Sequence, residues 1–383
     1  TNVRKKYNVS NDRYQTTYSE IDVSCEACHG AGSAHVEWAK NRKESQHAED
    51  YQAMKLQVGL KDPNRGTWVF ADTSGNAQRT VSRDPTAQVE MCARCHARRS
   101  VISDDYVHGE SFFQTHTPQL LDEGMYFPDG QIQDEVYVYA SFLQSKMYHQ
   151  GVVCADCHEP HSGKIYARGN ALCYRCHTYE KFGTRSHHFH DPDSTGADCA
   201  DCHMPERKYM VIDPRRDHSI RIPRPDLSEK LETPNACNHC HTDKSTKWAT
   251  DKVLEWYGRD FIEKTHYGEI IKAARDLVPG AGNYLMNLIN DKEYPDIVRA
   301  TALSLLDRYP SPQVVETLRQ NLYDTSPLVR LGAIRSLEIV EYRDRLNMAK
   351  HLLKDPVLSV RQESAFALSE IPSDLMTASE WQT

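Results

Sequence analysis

From about residue 246 onward, apolar residues recur at the three-and-four spacing of amphipathic helices, whereas before it no such period is sustained. Three segments of the later part align on a Val-Arg pair, Val298-Arg299, Val329-Arg330 and Val360-Arg361, with 31 residues between successive pairs. Equivalent positions after each pair are apolar or small: Ala302/Leu303/Leu306, Ala333/Ile334/Leu337 and Ser364/Ala365/Leu368. A proline precedes each pair (Pro295, Pro327, Pro356). A period of this length kept twice predicts stacked helical units rather than a non-repetitive bundle. The earlier part predicts only short elements. Residues 1–24 are polar and Tyr-rich and read as extended or irregular. A helix is expected over 33–49, a hairpin within 62–83 around the turn Ser74-Gly75-Asn76, and a short helix beginning at Asp84. Residues 97–135 read as a long loop containing a turn at Tyr126–Gly130, and 134–149 as a helix. The expected fold is mainly α with much irregular structure, in two domains, 1–245 and 246–383.

Composition changes the picture of the first domain. The hydrophobic fraction is 39%, low for a globular chain, so the irregular part must bury something other than ordinary side chains. The formal charge of -8 argues against nucleic acid and anionic membranes as partners. No apolar run approaches the length of a membrane span and no signal peptide is visible, so the chain reads as a processed form or a fragment.

All 12 cysteines fall in six Cys-x-x-Cys-His phrases: Cys25/Cys28/His29, Cys92/Cys95/His96, Cys154/Cys157/His158, Cys173/Cys176/His177, Cys199/Cys202/His203 and Cys237/Cys240/His241. Only 19 of 383 residues are histidine, so its presence directly after every pair is not accidental. Structural zinc pairs two hooks and needs no histidine after each, and a disulfide framework does not repeat one spacing six times. The phrase is the attachment signature of c-type haem: two thiols add to the porphyrin vinyl groups and the histidine ligates iron. Six covalent haems are expected, each adding two propionates to an already acidic chain. Such attachment takes place outside the cytoplasmic membrane, which predicts a periplasmic or extracellular protein.

Six bis-histidine haems need six further imidazoles. The candidates are His35, after the Gly30–Gly32 turn, His149 and His161, flanking the third motif, and His218, in the charged turn after the fifth. The run His187-His188-Phe189-His190 is expected to supply one ligand, for which His188 stands. His116 or His108 would complete the set, with His116 standing for that pair. Nothing marks a catalytic residue.

Two resemblances follow. The Pro-x-Val-Arg-x-x-Ala pattern resembles HEAT-type repeats. The phrases Cys25–His35, Cys154–His161, Asp213–His218 and Thr233–His241 together resemble bacterial multihaem c-type cytochromes with C-terminal HEAT or tetratricopeptide repeats. These are distantly similar to the octahaem cytochrome and hydroxylamine oxidoreductase class, and they usually carry further haem motifs upstream. Six haems packed along one chain imply a conduit that passes electrons to other redox proteins. The alternatives are an enzyme acting on a nitrogen or sulfur compound at one five-coordinate haem, and a subunit of an extracellular cytochrome filament. The helical repeats are the expected surface for self-assembly or a protein partner.

Overall fold

The computed structural model describes residues 2–42, 52–62 and 64–377. Its first part is built from single helical turns and five two-stranded antiparallel hairpins. Most haem-attachment motifs occupy one turn of helix: Cys25–His29, Cys154–Cys157, Cys199–His203 and Cys237–Cys240, with a tighter 3-10 turn at Cys173–Arg175. One turn is what the spacing requires, because residues three apart lie on the same helix face. Isolated helices this short are unstable in water, so their neighbours must hold them.

The second motif differs, riding on the end of an eleven-residue helix, Thr86–His96. Asp84 Oδ1 accepts from Thr86 N at 2.9 Å at its start. Val89 and Ala93 are buried on one face, and Met91 is buried on another. Glu90 is held inside by Ser111 Oγ and Phe112 N, each 2.8 Å from its Oε2, and burial pushes its pKa up.

Several expected elements are reshaped. The helix after the first motif is Ser33–Asn41, and residues 43–49 of the expected span lie outside the described residues. Trp68–Val69 and Gln78–Arg79 form the expected hairpin. The 134–149 stretch is two four-residue helices, Tyr139–Phe142 and Lys146–His149, not one. Ser145 stands between them in extended conformation and its hydroxyl accepts from Tyr148 N, starting a new helix where a continuous one was expected.

The largest correction concerns 97–135, which is a packed seam and not a loop. Arg99–Val101 pairs with His116–Pro118, and Phe112, Phe113, Leu120, Leu121 and Tyr126 are buried. The seam is fastened to the helical repeats by backbone-directed bonds. Leu121 N donates to Thr301 Oγ1 at 3.1 Å, and Arg275 reaches the Leu121 and Tyr126 carbonyls at 2.6 and 3.0 Å. Gln114 bonds both Pro356 O (2.9 Å) and Leu358 N (3.1 Å). Alternation is weak here because aromatic residues fill a space between two bodies rather than one face of a strand.

The repeat array contains Ala281–Asn290, Asp296–Ser304, Pro312–Asn321, Pro327–Arg335, Tyr342–Ala349 and Leu358–Ser369. Val298, Val329 and Val360 occupy equivalent, fully buried places. The arginine after each of the first two valines ties one repeat to the loop of the next. Arg299 meets Asp324 at 2.8 Å and Arg330 meets Asp355 at 2.9 Å, with both aspartates nearly buried. Both aspartates also stand 31 residues apart, so the pairing is part of the repeat. Ser336 Oγ donates to Leu303 O at 2.7 Å, and Gly332 lies so close to the Ala300 backbone that no side chain would fit.

Candidate haem sites

The motif turns stand next to one another in chain order. Arg94, in the second motif, donates to Ala27 O of the first at 3.2 Å. Gln88, on the helix carrying the second motif, accepts from Ala155 N of the third at 3.0 Å. Arg175 of the fourth donates to Asp156 O of the third at 2.6 Å. Asn170 ties the start of the fifth motif to the fourth, accepting from Cys199 N at 2.9 Å and donating to Ala197 O at 2.8 Å.

The thiols follow the same order. None of the twelve is paired in a disulfide. Cys28 lies within electrostatic reach of Cys92 and Cys95, and Cys202 of Cys237 and Cys240. Cys92 lies beside Cys154, and Cys173 beside Cys199. Cys25 and Cys240, at the two ends of the series, and Cys95, in the second motif, are exposed.

Whether these residues fit haem iron can be tested on the imidazoles. A metal–imidazole bond is about 2.0–2.1 Å and the ligating nitrogen lies roughly 1.1 Å from the ring centre, so two imidazoles trans across one metal have centroids about 6.3 Å apart. Four motif histidines face another histidine at this separation. His29 faces His161 at 6.3 Å with 14° between planes, and His158 faces His218 at 6.5 Å and 24°. His203 faces His187 at 6.2 Å and 10°, and His241 faces His190 at 6.1 Å and 32°. Rings in van der Waals stacking come closer, as Phe112 and His116 do at 4.9 Å. The facing pairs therefore leave room for one ion between them.

The other ring nitrogen is held in most of these residues. Nδ1 lies 3.0 Å from Val58 O in His29, 2.8 Å from Arg221 O in His203 and 2.9 Å from Arg216 O in His218. In His190 it lies 2.5 Å from His188 O, and in His161 3.1 Å from Glu159 Oε1. His177 Nδ1 is 2.7 Å from Asn76 Oδ1. Such a bond fixes the tautomer and leaves Nε2 to the metal.

The remaining candidates are placed differently. His35 has its Nδ1 2.7 Å from Met54 O and stacks on Trp38. His116 is buried against Phe112, with Nδ1 2.8 Å from Thr115 Oγ1, and burial, aided by Arg99, lowers its pKa to about 4. His149 Nε2 is 3.2 Å from Leu143 O, and His108 packs edge-on to Tyr106. His188 Nδ1 accepts from His190 N at 3.2 Å and faces no motif histidine among the described residues. His47 lies outside the described residues.

The sequence reading expected one facing histidine from the 187–190 run, whereas two stand opposite motif histidines. Phe189 is the reason. It takes a left-handed conformation (φ 57°) and stacks flat on Trp256 at 4.5 Å, turning the chain so that His187 and His190 aim at different motifs. The Tyr257 hydroxyl donates to His187 O and holds the same turn. A left-handed aromatic residue has no sequence signal, because its partner lies in a helix 67 residues further on.

Known families match two stretches: the doubled CXXCH motif over residues 147–182 and HEAT repeats over residues 283–369. No curated protein matches. Among solved structures, the outer cell wall cytochrome OcwA matches 89% of this chain and 75% of its own, with 13% identity and a TM-score of 0.44. The chain therefore carries paired haem-attachment motifs followed by HEAT repeats. Among the described residues, no helix is long and apolar enough to cross a membrane.

Proposed function

We propose that the chain binds six haems c and conducts electrons along them in the order of its motifs, from Cys25–His29 to Cys237–His241. The observation that carries this reading is the unbroken series of neighbouring motif turns, together with four histidine pairs at the separation two trans imidazoles need. When bound, each haem supplies a one-electron iron couple, and closely spaced couples pass electrons between them. The protein's residues set that chemistry up. His29, His96, His158, His177, His203 and His241 would each hold one haem iron. His161, His218, His187 and His190 would hold the irons of the first, third, fifth and sixth sites from the other side. Two imidazoles on one iron, with no methionine, would supply a low potential. Residues 1–245 form the haem domain and 246–383 the repeat domain, which is the surface for self-assembly or a protein partner. Haem attachment requires export, so the site of action is periplasmic or extracellular.

The ligand set has a direct test. His161→Ala in the exported, haem-loaded protein should convert one low-spin iron to high-spin in electron paramagnetic resonance, with the haem count by pyridine haemochromogen unchanged at six. An unaltered spectrum removes the assignment, and a count below six removes the stoichiometry.

A second reading rests on His96 and His177. Among the described residues no histidine ring stacks opposite either, and His177 instead meets the edge of Phe182 at 5.5 Å. An open iron face at one of these sites is where an enzyme acting on a nitrogen or sulfur compound would bind substrate. A high-spin ferric signal in the unsubstituted protein that shifts on adding nitrite or hydroxylamine supports it, and wholly low-spin spectra exclude it.

A further inference from the structure

Two of the proposed axial imidazoles hang from one short turn. His218 Nδ1 is bonded to Arg216 O at 2.9 Å, and His203 Nδ1 to Arg221 O at 2.8 Å. The second attachment is doubled, since Arg221 N donates to His203 O at 3.0 Å. Residues 216–221 therefore set the rotation of two rings that face different partners, His158 and His187.

This turn rests on buried charge. Asp217 is 2% exposed, and its carboxylate accepts from Ser219 N at 2.8 Å and from Ile132 N at 3.2 Å. Arg221 Nε donates to Ser219 Oγ at 3.1 Å, Nη1 lies 3.4 Å from Asp129 Oδ2, and Nη2 lies 3.9 Å from Asp217 Oδ2. Asp129 is 3% exposed. Its Oδ2 accepts from Gln131 Nε2 at 2.7 Å, and its carbonyl accepts from the Tyr267 hydroxyl at 2.8 Å, a contact with the helices that follow. Two carboxylates and one guanidinium are costly to bury, and simple anchoring of a turn does not require them.

We infer that Arg221, clamped by Asp129 and Asp217, is a positioning residue that orients the imidazoles of the third and fifth haem sites together and tunes both irons with its charge. The inference rests on the axial-ligand reading of His203 and His218. A buried positive charge disfavours the more positive ferric iron and so raises a reduction potential, and a buried carboxylate lowers it. Opposite changes to the cluster must therefore move the same two irons in opposite directions, which loss of packing alone would not do.

The test uses the haem-loaded full chain in a spectroelectrochemical titration, with His218→Ala and His187→Ala identifying the two relevant waves. Arg221→Gln should lower both potentials and Asp129→Asn should raise both. Each should change the one-electron equilibrium about tenfold, or about 59 mV. Arg221→Lys keeps the charge and loses the fork, so it should restore the potentials while altering the low-spin g-values of the same two irons. Ser219→Ala, which removes one hydrogen bond and no charge, serves if the charge variants fail to accumulate, and should change those two sets of g-values alone. The inference is overturned if both charge variants move the waves the same way, if all waves move together, or if Ser219→Ala leaves every g-value in place. If His218→Ala yields no high-spin iron, the ligand reading itself has failed. A high-spin iron there with inert cluster variants sinks only the tuning role.

Discussion

Val298, Val329 and Val360 are wholly shielded at the same place in three successive repeats, while among the described residues no hydrophobic side chain before Val89 is buried. The repeat region is an ordinary apolar stack, with each unit closed by the next and a buried Arg–Asp pair at each joint. The haem region is a set of single turns and hairpins joined by side-chain bonds to carbonyls and by imidazoles aimed at one another. In the first region burial of apolar area supplies the stability. In the second the ligands and their covalent attachment must supply it, because one-turn helices do not stand alone. The 97–135 seam joins the two, so that one hydrophobic core runs from Val89 to Ile371.

The largest effect expected from this contrast is at a haem motif. Replacing Cys173 and Cys176 by Ser should remove one covalent haem by intact mass and leave the 150–245 region open to proteolysis, with the repeat helices retained in circular dichroism. Loss of all helical signal would show that the two regions fold as one. Next is the repeat core. Leu303, fully buried, should cost about 2–5 kcal/mol as Leu303→Ala, read as a lower thermal midpoint of the helical signal, with the haem spectrum unchanged.

The joints titrate. Burial raises the Asp324 pKa, but hydrogen bonds from Lys292 and Arg299 outweigh it and hold the carboxyl at about 2, below its ordinary 3.8. A depressed folded pKa gives stability that is present above the unfolded value and lost as pH falls through the folded one. Denaturant titrations should therefore show about 2 kcal/mol disappearing between roughly pH 4 and pH 2, and Asp324→Asn should abolish that acid limb. The smallest effect sharpens the junction. Tyr267→Phe removes the hydroxyl bonded to Asp129 O and should cost about 1 kcal/mol by chemical denaturation, with haem content unaltered. Within the haem region, His187→Ala should make one iron high-spin and His188→Ala should not; the reverse result would return the ligand to His188.

Much of the molecule was legible because its chemistry is local. Cys-x-x-Cys-His names its own cofactor and its own first ligand within five residues, and a 31-residue period with valine and arginine at fixed places and a proline shortly before them names a helical repeat. His161 and His218 also stood out, each lying in a tight polar turn close to a motif. What the chain order could not show is which imidazole faces which. His161 lies three residues past His158 yet faces His29, and His218 faces His158 across 60 residues. These pairings depend on how separate turns pack, and short irregular elements have no periodicity to reveal it. The same holds for 97–135, whose aromatics are spaced for neither helix nor strand because they fill the gap between two bodies. The sequence by itself determined the cofactor attachment and the repeats, since each is a covalent or short-period property. Only the tertiary structure decided the facing pairs, the left-handed Phe189 that divides His187 from His190, and the buried Asp129–Arg221–Asp217 cluster. Each of these is a contact between residues far apart in the chain.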